Sequence, residues 1–112
     1  MDDTIDWGDF IKVDMRVATI IEVRDFPKAK KPAYQLKLDF GKGIGVKRSS
    51  AQITGLYAKE ELLGKQVIAV ANFPNKQIAD FISECLVLGA VDGKEVVLLK
   101  PDSPVPNGLK IG

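Results

Sequence analysis

The sequence predicts an all-β domain, a small barrel or a sandwich, on three observations. Short runs of alternating apolar and polar residues recur along the chain, turn residues separate them, and only one stretch carries helical signals. At 112 residues the chain fits one domain, residues 1–112, since domains most often run to roughly 100–150 residues. A hydrophobic content of 46% is enough to build a packed core and is far from a disordered composition.

The first strand lies in DMRVATIIEVR, where Met15, Val17, Thr19, Ile21 and Val23 share a face opposite Asp14, Arg16, Glu22 and Arg24. FPKAKKP, with two prolines, ends it. AYQLKLDF alternates again, with Tyr34, Leu36, Leu38 and Phe40 on one side and Gln35, Lys37 and Asp39 on the other. GKGIG lacks the spacing of a phosphate-binding loop and leads into a strand, so it reads as a hairpin turn. In the third strand Ile44 and Val46 keep the alternation and Arg48 breaks it, which predicts a bulge or a partner-facing stretch near Lys47. TGLYAKEELLG reads as a short helix, with Thr54 at its N-cap and Gly64 just past its end.

QVIAVANF, SECLVLGAV and EVVLLK supply three further strands, linked by FPNKQIADFI and by a turn at Asp92–Gly93. Residues 67–71 and 85–91 are apolar on both faces. The interior of a small barrel covers only one face, so a helix, a terminal segment or a second copy must cover the other. Burying each Val- or Leu-sized side chain is worth ~1.5–3 kcal/mol, and several left exposed invite association. A homodimer is the expected solution.

Composition removes several function classes. There is no histidine, which excludes Ser-His-Asp and Cys-His catalysis and histidine metal sites. A single cysteine, Cys85, forbids an intrachain disulfide and leaves too few ligands for a zinc site; among Leu86, Val87 and Leu88 it reads as core filler. Trp7 and Phe10 are expected to dock the N-terminal segment. No apolar run approaches the ~18 residues of a membrane span, and the acidic N-terminus lacks the pattern of a signal peptide. The expectation is a cytoplasmic protein with no membrane insertion, no metal, no cofactor and no catalytic activity.

The net charge of +1 hides an asymmetry. Residues 1–25 carry a net of −4, residues 26–76 a net of +7 and residues 77–112 a net of −2. A basic middle suggests a localised positive surface. Within it, VKRSSAQIT sets Lys47 and Arg48 against Ser49 and Ser50. A Ser–Lys nucleophile would need a desolvated lysine and an oxyanion hole, and nothing signals either. Two readings stay open, a polar strand and a surface for anions. Lys28, Lys30 and Lys31, in the loop after the first strand, and Lys76, in a later loop, strengthen the second. In an OB-fold, a five-stranded Greek-key barrel, such loops and the adjoining face form the usual ligand surface. Phe26, Phe73 and Phe81 could offer stacking or apolar contacts there.

Blocks in order along the whole chain, DFIKVDMRVATI, FPKAKKPAYQLKLDFG, VKRSSAQIT, VIAVANFPNKQIADFISECLVLGA and VPNG, resemble the secretion chaperone family CsaA. That family is related to the tRNA-binding OB domains found at the ends of some aminoacyl-tRNA synthetases. The resemblance implies a homodimeric OB-fold with terminal extensions in the interface. It also implies binding of unfolded or presecretory polypeptides and cooperation with the export machinery, with tRNA binding as the alternative. The wider tRNA-binding group carries a Ser-Glu-Gly-Met-like block near RNA. Here the block reads Ser83, Glu84, Cys85, Leu86, which carries over Ser83 as a binding residue but not the glycine or methionine.

Overall fold

The computed structural model describes residues 3–112. Its main body is a five-stranded antiparallel sheet that curls into a nearly closed barrel, as an OB-fold does. The strands are β1 (Met15–Asp25), β2 (Tyr34–Asp39), β3 (Val46–Ala51), β4 (Gln66–Val70) and a two-residue β7 (Leu86–Val87), in the order β3-β2-β1-β4-β7. Short helices α1 (Trp7–Ile11) and α2 (Lys59–Leu62) precede β1 and β4 in the chain. Two small hairpins complete the fold, β5 (Lys76–Ile78) with β6 (Phe81–Ser83), and β8 (Gly89–Asp92) with β9 (Glu95–Leu98).

β1 alternates, but not with the expected parity. Ala18 and Ile20 face the core, Ile21 is exposed, and Val23 faces the core again. The pairing with β2 shows why. Ile20 sits opposite Leu38 and Glu22 opposite Lys37, so Ile21 is an extra residue, a bulge. A one-residue insertion moves every following side chain to the other face. Of the two readings for the break near Lys47, a bulge or a partner-facing stretch, the bulge is not realised there. β3 pairs with β2 in unbroken register, with Arg48 and the exposed Val46 both turned outward.

The barrel closes where β3 meets the segment after β6. Glu84 donates its amide to the Arg48 carbonyl at 2.8 Å, and its carboxylate accepts from the Arg48 amide at 2.9 Å. The Ser83 hydroxyl accepts from the Ser50 amide at 3.1 Å, and the Ser49 hydroxyl donates to the Cys85 carbonyl at 3.2 Å. Side chains thus stand in for part of a strand ladder, satisfying amides that would otherwise be buried unpaired.

α2 starts four residues later than its sequence signal. Ala58, not Thr54, is the N-cap, and the Glu61 carboxylate satisfies the Ala58 amide. The helix drives Leu62, fully buried, into the core, and Gly64 follows in the left-handed region at φ +85. α1 is held by reciprocal bonds between Asp6 and Asp9. Trp7 and Phe10 pack on each other, with ring centroids 5.4 Å apart, yet Trp7 stays 69% exposed. The expected docking is made instead by Asn72, which bonds the Lys12 carbonyl and the Asp14 amide.

β4 is buried on both faces within a single chain. Val67, Ala69 and Ala71 join the barrel core, while Ile68 and Val70 are buried beside Val17 on the outside. Residues 99–111 run back along this side. Ile68 donates to the Leu99 carbonyl, Val17 to Leu109, and Gly108 to Val17. VPNG is the anchor. The Asn107 side-chain carbonyl accepts from Thr19 and Gln66, and the Val105 main-chain carbonyl accepts from Gln66. Gly108, at φ +89, passes the Phe40 carbonyl so closely that a Cβ would lie 2.5 Å from its oxygen. The terminal segment, one of the expected covers, lies over this face.

Candidate functional site

The surface beside the barrel divides into three regions of different chemistry. The outer face of β1–β3 holds a hollow of about 190 Å³ lined by Glu22, Arg24, Lys37, Arg48 and Phe81. Its charges are paired. Glu22 lies 3.2 Å from Arg24 and 3.6 Å from Lys37, and Glu84 lies 3.3 Å from Arg48, whose guanidinium sits over the Phe81 ring. The Arg48 amide, helped by the Arg48 side chain, holds the Glu84 carboxyl below the usual carboxylate range. Three cations set against two carboxylates leave little unopposed charge for phosphates.

The second region is basic. A groove of about 540 Å³ runs between the loop after β1 and the β5–β6 hairpin, lined by Lys28, Lys30, Lys31 and Lys76 with Ser50 and Gln52. Lys28 is tied to Asp80 at 2.9 Å, which lowers the Asp80 pKa. Among the described residues, no carboxylate lies within ion-pair distance of Lys30, Lys31 or Lys76. The hairpin wall was not legible as strands, because it arises from the linker FPNKQIADFI. It is built on Phe26 and Phe81, whose rings lie 5.5 Å apart and bury each other with Ala33, and its turn holds Ala79 at φ 53.

The third region is apolar. A groove of about 430 Å³, walled by Phe73, Ile78, Leu86, Val91 and Leu98, meets the basic groove at Ser50, Gln52 and Lys76. Beyond Gln52 it continues into a further hollow of about 550 Å³ bordered by Thr54, Gly55, Val91 and Lys94. Sequence reasoning marked residues 85–91 as doubly apolar but assigned them no site, since nothing in the alternation places β8 against the end of β3.

The expected site residues are thus brought together only in part. Lys28, Lys30, Lys31, Lys76 and Ser50 share the basic groove, and Phe73 borders the apolar one. Arg48 faces outward but is engaged by Glu84, and Lys47 donates to the Ala71 carbonyl at 2.9 Å. Ser49, 1% exposed, is buried and holds the barrel closed, while Ser83, also bonded across the seam, borders the apolar groove. The parity of β3 decides this: Ser49 opposes the core residue Leu36. Phe26 and Phe81 pack on each other, and Phe81 also borders the outer hollow. Cys85 is buried against Arg48 and Ser49, and burial pushes its thiol up to about 12.

Comparison with known proteins places this surface in context. Residues 15–110 match the family model described as "Putative tRNA binding domain". A solved CsaA chaperone from Picrophilus torridus is 59% identical with a TM-score of 0.91, covering 97% of this chain and 100% of that one. The chaperone CsaA of Bacillus anthracis is 46% identical with a TM-score of 0.92, covering 98% and 100%. The methionine–tRNA ligase of Nanoarchaeum equitans is 42% identical over 96% of this chain, and the match spans 13% of that protein's length.

Proposed function

This chain belongs to the tRNA-binding domain family and, within it, to the CsaA proteins, and from that premise we propose a non-catalytic chaperone that binds unfolded or presecretory polypeptides and assists their export. One observation carries the reading. The apolar groove is the surface best suited to a macromolecular ligand, while the barrel face beside it is neutralised by Glu22 and Glu84. Unfolded chains expose apolar side chains, and nucleic acids expose phosphates. In this reading the protein works as a cytoplasmic homodimer, with the exposed Ile5, Trp7 and Ile11 of the N-terminal segment in the interface, and passes clients to the export machinery.

The alternative, a tRNA-binding module, is supported by Lys30, Lys31 and Lys76, which have no carboxylate partners among the described residues. One experiment separates the two. Affinity for an unfolded preprotein and for tRNA is measured in the same preparation at low and moderate salt. Apolar capture changes little, whereas RNA binding falls steeply as neutralised phosphates release counterions. An equally steep slope for the preprotein would overturn the division of roles. Lys30→Ala with Lys31→Ala and Lys76→Ala should make only the tRNA slope shallower, by roughly 0.7–0.9 for each phosphate no longer neutralised.

A further inference from the structure

The β8–β9 hairpin leaves one edge open to the apolar groove, and its register decides which groups point there. The Leu99 amide donates to the Leu88 carbonyl at 3.2 Å, while the Leu88 amide and the Leu99 carbonyl are both taken by Ile68, so one inward bond at 88 and 99 sets the alternation. Antiparallel ladders alternate bonded and non-bonded pairs. Ala90–Val97 and Asp92–Glu95 therefore bond within the hairpin, while Gly89, opposite Leu98, and Val91, opposite Val96, turn their amides and carbonyls outward. β9 follows the same rule: the outward amide of Leu98 finds the Tyr57 hydroxyl at 3.0 Å. No such partner meets Gly89 or Val91 among the described residues.

The edge is short and ends at the charged Asp92, but its first three residues are unguarded. Gly89, Ala90 and Val91 carry neither charge nor proline, and Val91 is 75% exposed. Val91 borders both the 430 Å³ groove and the 550 Å³ hollow, and so does Gln52. Open strand edge and apolar walls thus line one continuous slot.

We propose that this slot takes one extended strand of a client polypeptide, which adds to the outer edge of β8 through main-chain hydrogen bonds. The proposal rests on the chaperone reading and specifies how that site recognises its ligand. Main-chain pairing is indifferent to sequence, and side chains of a strand alternate between faces. Every second client residue then enters the apolar wall of Phe73, Ile78 and Leu86, so selection is for an alternating apolar pattern. A nucleic acid has no strand edge to offer.

The test uses an end-blocked octapeptide alternating valine and serine, two twins N-methylated along one edge or the other, and a reduced, carboxymethylated unfolded protein. The parent peptide should bind and compete with the unfolded protein. One twin should bind roughly five- to tenfold more weakly than the other, because N-methylation removes donors along one edge only. Val91→Pro, which removes an outward amide without touching the hairpin's own bonds, should weaken the parent peptide by a similar factor, and Val91→Thr should not. If both twins bind as tightly as the parent, edge pairing is overturned; this arm needs no variant to fold. It is also overturned if Val91→Pro dissociates a dimer with peptide affinity unchanged, since the edge then belongs to a second copy. If neither parent peptide nor unfolded protein binds while tRNA does, the chaperone reading itself fails.

Discussion

Removing the Glu84 carboxylate should open the seam of the barrel. Glu84 accepts from the Arg48 amide and side chain, and both bonds join β3 to the segment that closes on it. A hydrogen bond to a charged group contributes ~1.5–3 kcal/mol when desolvated, but the Glu84 side chain is 31% exposed, so water replaces part of it. Glu84→Ala should therefore cost about 1.5 kcal/mol, lowering Tm by roughly 5–8 °C in a domain this size. Glu84→Gln keeps an acceptor for the amide, loses the ion pair and should cost about 0.5–1 kcal/mol. The carboxyl's folded-state pKa lies below its ordinary 4.5. Its stabilisation is therefore complete above about pH 4.5 and lost as pH falls through the lower folded value. Calorimetric Tm for wild type and Glu84→Gln should differ at pH 7 and converge in acid. A gap unchanged at pH 3, or a Glu84→Ala protein melting with wild type, would refute the account of closure.

Lys47→Ala with Arg48→Ala should lower Tm as well as any RNA affinity, because Lys47 bonds the Ala71 carbonyl and Arg48 pairs with Glu84; thermal melts alongside filter binding check this. Gly108→Ala should cost about 2 kcal/mol or more, since it combines a left-handed φ with a Cβ at 2.5 Å from the Phe40 oxygen, and denaturant titration would read the loss. Trp7→Glu should shift sedimentation at micromolar concentration from a dimer to a ~12 kDa monomer, and a wild type already monomeric would remove the dimer from the proposal.

The strands were legible where one face alone is buried. In β2 the alternation of Tyr34, Leu36 and Leu38 against Lys37 survives unchanged, because the extra residue opposite it belongs to β1 and β3 pairs with it in unbroken register. β1 misled because Ile20 and Ile21 are equally apolar, and only the pairing shows which is extra. Of the three covers open for the doubly apolar β4, the terminal segment is realised through contacts with residues about 30–40 positions away, which no local pattern encodes. The site was half legible for a related reason. Lysines in loops reach one groove almost wherever those loops meet, but a strand residue such as Ser49 is a surface or a core group according to register. The β8 edge could not be found at all, because it is defined by which main-chain groups lack partners.

Residues 99–111 leave the ribosome after every strand of the barrel, yet they seal Val17 on the first strand and Ile68 on the fourth. Until they arrive, the growing chain displays a stripe of naked hydrocarbon along a half-finished barrel. Assembly must wait for contacts spanning some 90 positions, and closing such a long loop is slow. During that delay the nascent molecule resembles the very clients proposed for it, and a finished copy nearby would have a surface on which to hold it.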